Sequence, residues 1–279
     1  MPCSDRSRSR RRSLRGFGPL TTLLAELLVA VLVLVTICAI TGQPVPRPTP
    51  ALLLLGLLQP AVAFLSFTLG VQRTSGTHAG VLLCLETVFV VLLGVLVLHE
   101  RLGPAAGIGI AVAVGGVALL ASDGSGRASI VGDALVLLDA AAAALSVVLT
   151  IRLAAHLHAV ALTAAQFLIG GIVIAPVWAI ALLTGHEQAI TPDADPMAVW
   201  GVLATGALGT AGAFLIYNWA LGRVTALTAG ASVTLIPVFA LVLSHLILGE
   251  AIGHMALISV ALILVGLVSL TMPESRRPA

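Results

Sequence analysis

The chain has no lysine: all fourteen of its basic residues are arginine. Charged residues of either sign make up only 9% of its 279 residues. A soluble fold of this length needs a charged surface, and this sequence cannot supply one. Aromatic residues are also sparse, at 4%. That argues against a β-barrel, whose lipid-facing band is flanked by aromatic girdles. The three cysteines, Cys3, Cys38 and Cys84, are scattered. Their spacing matches neither a metal site nor a disulfide framework. Enzyme signatures are missing too. There is no His-Glu-x-x-His, no phosphate-binding glycine loop and no Ser/His/Asp set, so no catalytic residue, cofactor or metal is expected.

What is present is hydrocarbon. Hydrophobic residues make up 59% of the chain, and the mean hydropathy is +1.12. Long apolar runs recur, which is the signature of membrane-spanning helices. The fold class is therefore an all-α polytopic membrane protein. Spans are expected over 18–41, 51–71, 77–99, 103–121, 131–152, 159–184, 197–221, 225–248 and 252–272, nine in all. Residues 1–16 form a basic, serine-rich arm, read as a solvated anchor rather than a cleaved leader. The run that follows is longer than a signal peptide's apolar core of about 7–15 residues. Residues 122–130 are a Gly/Ser linker and 273–279 a polar tail. Arginine-only basicity with abundant Ala, Val, Leu and Gly suggests a GC-rich coding genome, hence a bacterium.

The chain repeats itself. When 51–121 is set against 201–271 without gaps, 23 of 71 positions are identical, roughly three times what composition alone would give. The shared positions include Phe64/Phe214, Arg73/Arg223, Gly80/Gly230, Phe89/Phe239, Glu100/Glu250 and Gly116/Gly266. The turns at Gly42 and Gly185 also correspond, placing helix 18–41 opposite helix 159–184. The first repeat, 17–121, thus has four helices and the second, 131–272, has five. An odd number of helices per full copy inverts one copy in the membrane, an architecture found in secondary transporters.

Arginine distribution sets the expected topology. With the 42–50 turn in the cytoplasm, Arg47, Arg101, Arg152, Arg223, Arg276 and Arg277 face inward. Only Arg73 and Arg127 then face outward. The 186–196 loop faces outward with Glu187, Asp193 and Asp195. This arrangement puts the basic arm outside. The conflict disappears if a helix precedes the first one seen here, and a mis-assigned start is the expectation.

Two segments carry a resemblance. Arg73…Leu-Glu-Thr-Val-Phe…His-Glu-Arg-Leu and Arg223…Leu-Ile-Pro-Val-Phe…Leu-Gly-Glu-Ala-Ile resemble the repeat signature of EamA-type drug/metabolite transporters. Gly132-Asp133 at a helix start is similar to the opening of a repeat in that family. The resemblance covers about 18–272. It implies two inverted repeats of five helices each, of which 4 + 5 are seen here. It also implies a central cavity, alternating access and export or import of small metabolites or drugs, with export favoured. Thr87 stands where the second copy has Pro237, and His99 where it has Gly249.

Intramembrane carboxylates are expensive, about 2.5–3.5 kcal/mol for an acidic residue at a helix centre on insertion scales. Glu86 and Asp139 lie near the middle of their spans. They are the candidates for binding a proton or a cationic group of the substrate. The alternative for each is a hydrogen bond to a neighbouring helix. Glu26 sits closer to a helix end and ranks below them. Gln166, Tyr217 and Asn218 are the candidate polar lining of a cavity, with Trp219 beside them. Intramembrane amides also commonly bond other helices. Glu100 and Glu250 end their helices and are read as caps for the next helix, with gating as the second reading. Pro237 and Pro176 could break helices and free carbonyls. Trp178 and Trp200 are expected as interface anchors.

The resulting expectation is a secondary transporter of small organic solutes, multi-pass in a bacterial inner membrane. Its partners are a small-molecule substrate and the lipid bilayer, with a homodimer left open and no nucleic acid. A truncated or non-transporting membrane partner is the alternative, and a membrane-embedded enzyme a more distant one.

Overall fold

In a bilayer every backbone N–H and C=O must be bonded within its own segment, so the apolar runs have helices as their outcome. The computed structural model describes residues 17–74, 76–99, 103–122, 129–189, 196–233, 235, 239 and 254–271. Among them the helices are α1 (Pro19–Thr41), α2 (Pro50–Val71), α3 (Gly76–Leu98), α4 (Pro104–Ser122), α5 (Ile130–Ala154), α6 (Ala159–Leu183), α7 (Pro196–Leu221), α8 (Ala226–Val233) and α9 (His254–Thr271). No strand occurs among the described residues. The bounds match the expected spans to within two residues. The exception is the span expected over 225–248, of which the helix is described only to Val233. Helices α1, α2, α5, α6 and α7 are 22 to 26 residues long and apolar enough to cross a membrane. At 1.5 Å per residue even the shortest covers about 33 Å, against a hydrocarbon core of about 30 Å. Shorter apolar stretches lie in α3, α4 and α9.

Local chemistry explains the helix ends. Pro19 and Pro50 open α1 and α2, where a missing N–H costs nothing. Thr49 caps α2 by accepting from the Leu52 N–H at 3.3 Å. Gly42 and Gly185 take left-handed φ values of 67° and 72° just past α1 and α6, the usual glycine stop. His99, past α3, is also left-handed at φ 56°. The second copy has Gly249 at that place, and histidine is among the residues that tolerate this conformation best.

The repeat is visible in the backbone. A π-helical segment interrupts α2 at Leu57–Val62, and another interrupts α7 at Thr205–Gly212. They overlap at the 150-residue offset. In α2 the cause is Pro60, and Gln59 leaves helical geometry at φ −143°, ψ 120°. In α7 three glycines, Gly206, Gly209 and Gly212, stand in the segment instead.

The helices form two compact units, each drawn from both repeats. The first unit holds the described residues up to Thr68 together with Arg152–Gly222; the second holds Leu69–Ile151 and the described residues from Arg223.

In the first unit, α1 lies along α6 and against the π segment of α7, while α6 lies against α2 and its π segment. Each repeat's leading helix therefore packs on the other repeat's interrupted helix. Buried positions of α6 at 160, 163, 164, 167, 170 and 174 match buried positions of α1 at 20, 23, 24, 27, 30 and 34. Their spacing is the i, i+3, i+4, i+7 of a single helix face. Glycines allow the close crossings. A Cβ on Gly56 would come within 2.8 Å of the Gln166 carbonyl and 2.6 Å of Ile169. A Cβ on Gly206, its repeat mate, would come within 2.8 Å of the Glu26 carbonyl and of Val29.

In the second unit, α4 and α9 pack closely and α3 packs on α4 and α8. Gly116 faces the Ser259 carbonyl and Gly266 faces the Gly109 carbonyl. These four are two pairs of repeat mates, so the contact is two-fold. Buried Thr87 donates its hydroxyl to the Gly230 carbonyl at 3.2 Å, a bond that the proline of the second copy could not make. Thr74 donates to Asp133 Oδ1, fastening the start of α5 to the turn after α2.

Candidate solute-binding residues

The amides expected to line a cavity meet inside the first unit. Asn218 on α7 donates from Nδ2 to Gln166 Oε1 at 2.8 Å and to Thr163 Oγ1 at 3.0 Å. Gln166 Nε2 donates to the Gln59 carbonyl at 3.0 Å. Gln166 is 1% exposed and Asn218 2%. A buried amide without partners is costly, so the network satisfies itself. Gln59 was not singled out from sequence. Pro60 is its sequence signal, since a proline pushes the residue before it out of helical geometry.

An aromatic group adjoins this network along the chain. Phe64, Phe167 and Phe214 pack edge to face with centroids 5.1 to 6.4 Å apart. Half-buried Tyr217 joins them through Phe214 at 6.4 Å. A cleft of about 310 Å³ opens in the same unit, lined by Val45, Pro46, Leu53, Leu168, Ile172 and Val173 among others. Its lining residues are all apolar.

The two carboxylates singled out from sequence both lie in the second unit. Asp139 is 7% exposed on an alanine-rich face of α5, and half-buried Glu86 lies within range of its charge. Glu100, Glu250 and Pro237 lie outside the described residues.

One loop acid was read differently from sequence. Glu187, expected in the outward 186–196 loop, is 8% exposed. Its Oε1 accepts from the Thr21 amide and hydroxyl, each at 3.2 Å. The Thr21 hydroxyl also lies 2.8 Å from the Gln188 carbonyl. Trp178 Nε1 donates to Thr21 Oγ1 at 3.0 Å, so this side chain ties α6 to α1 rather than serving simply as an interface anchor. Trp200 is exposed, as an anchor would be. A carboxylate at a helix N-terminus satisfies open amides and favours the helix dipole.

Membrane-length helices, two repeats with interruptions at matched places and buried polar groups inside an apolar bundle define a multi-pass helical membrane protein. The model of the EamA-like transporter family matches residues 9–122 and 130–272, and the chain belongs to that family. Among solved structures, one described only as "Crystal structure of protein" superposes with a TM-score of 0.82 at 18% identity, over 94% of this chain and 90% of its own. At that identity the likeness concerns the fold alone. No curated protein matches the chain.

Proposed function

We propose that the chain is a secondary transporter of small organic metabolites or drugs, acting as an exporter in a bacterial inner membrane and working by alternating access. The observation that carries this reading is the two-fold first unit. Each repeat's leading helix packs on the other's π-interrupted helix, and the buried Gln166–Asn218–Thr163 network lies between α6 and α7. Interrupted helices at repeat-related places are where transporters form solute sites. Such a pairing lets the repeats trade conformations. The neutral amides suit a solute's hydrogen-bonding groups, and the aromatic rings suit its apolar part. Glu86 and Asp139 are the coupling groups in this reading, binding a proton or a cationic moiety. Uncompensated charge in a bilayer is costly and marks ion pathways.

Proteoliposomes loaded with a bacterial metabolite extract test the proposal. Mass spectrometry of the external medium should show protein-dependent release of a small set of solutes. It should also show a response to an imposed pH gradient that Glu86→Gln removes. Release equal to protein-free liposomes for every solute would refute it.

A further inference from the structure

Glu26 has a structural counterpart that the 150-residue repeat does not reveal. The Gly206 contact on α1 involves the Glu26 carbonyl and Val29; the Gly56 contact on α6 involves the Gln166 carbonyl and Ile169. Both carbonyl contacts would be 2.8 Å from the added Cβ. The shared buried positions of α1 and α6 give the same 140-residue offset. Glu26 and Gln166 therefore occupy equivalent places in the first unit, one against each interrupted helix.

Their surroundings differ. Gln166 donates to the Gln59 carbonyl and accepts from Asn218. By the 150- and 140-residue offsets the counterparts of Gln59, Asn218 and Thr163 are Gly209, Thr68 and Leu23, two of which have no polar side chain. Glu26 makes no hydrogen bond or ion pair among the described residues. The other titratable side chains on the packed elements are few. Helix α1 adds Cys38, α6 adds none and α7 adds Tyr217, with Glu187 at the N-terminus of α1. None is a cation. Glu26 is half-buried rather than sealed.

We propose that Glu26 is an exchangeable proton site of the first unit. The ionised carboxylate takes a proton from water and forms one O–H bond; release returns the proton to water, with no change of oxidation state. A protonated glutamic acid is close to isosteric with glutamine and gains a donor. Proton uptake thus gives α1 the neutral donor–acceptor group that α6 carries permanently in Gln166. Proton loss leaves an acceptor-only carboxylate facing no cation among the described residues. The site does not depend on the transport reading.

Acid-minus-base infrared difference spectra of the full chain in liposomes test it, recorded from about pH 9 to about pH 3, a range spanning the ordinary carboxyl value of ~4.3. Subtracting the Glu26→Gln spectrum from that of the unsubstituted protein should leave one protonated-carboxyl band. It should lie at the high-frequency end that marks an acid without hydrogen-bond partners, and it should shift in D₂O. Glu26→Asp should keep such a band, which covers the case of a Gln variant that fails to fold. Glu86→Gln and Asp139→Asn should leave it in place. No band, or one at the low frequency of a hydrated acid, would overturn the proposal.

Discussion

Phe64 and Phe214 are repeat mates, 150 positions apart, and their rings meet edge to face with centroids 5.6 Å apart and planes at 67°. A residue and its own copy touching in this way places the local two-fold between α2 and α7. Phe167, fully buried, packs against both. Edge-to-face pairs contribute about 0.5–1.5 kcal/mol beyond burial. A double-mutant cycle with Phe64→Leu and Phe214→Leu, followed by denaturation in detergent, should give coupling of that size. Phe167→Ala should cost more than either single change, about 3 kcal/mol or above.

Adjacent glycines on α6 should respond oppositely. A Cβ on Gly170 would come 2.4 Å from Pro60, while one on Gly171 meets nothing within 4 Å. Overpacking costs about 1–3 kcal/mol, whereas alanine improves an open helical site by up to about 1 kcal/mol. Thermal melting should therefore fall for Gly170→Ala and hold or rise for Gly171→Ala.

His99 carries a left-handed backbone that glycine adopts freely. The strain on a residue with a Cβ there is about 1–2 kcal/mol. His99→Gly should raise the melting temperature; a fall would show that the imidazole makes contacts worth more than that strain.

The spans and the repeat were legible because they are written in composition and spacing. Apolar length gives the helices, and Phe64/Phe214 or Gly116/Gly266 survive at a fixed offset. Relations that cross the chain without local signal were not legible. Glu187 lies among loop acids that read as facing outward, and its partner Thr21 is 166 positions away. The pairing of α1 with α6 was read from Gly42 and Gly185, which are 143 apart. The buried faces align at 140 because α6 runs nearly one turn further before its glycine. That difference of three residues hid the equivalence of Glu26 and Gln166. The amides Gln166 and Asn218 stood out in the sequence as candidate cavity lining, but their bond to each other depends on how α6 and α7 pack.

Glu187 fastens the first turn of α1. Removing a side-chain cap of this kind costs about 1 kcal/mol. Glu187→Ala should speed amide hydrogen exchange at residues 20–23 while leaving α5 unchanged. Its Trp178 emission should shift as the indole loses a fixed Thr21 partner. Unchanged exchange at the Thr21 amide would rule out the clamp.

The central claim is that the buried amide network in the first unit serves solute movement. The most direct measurement is exchange of isotopically labelled metabolites across proteoliposomes by the unsubstituted protein and by Asn218→Leu, each checked for folding by its melting curve. Asn218→Leu loses two intramembrane hydrogen bonds, each costing about 0.6 kcal/mol on average and at most about 1.7, so the variant should fold. We predict protein-dependent exchange that falls about tenfold or more in Asn218→Leu, the equivalent of about 1.4 kcal/mol in the transport barrier. Exchange by Asn218→Leu at the unsubstituted rate would contradict the account.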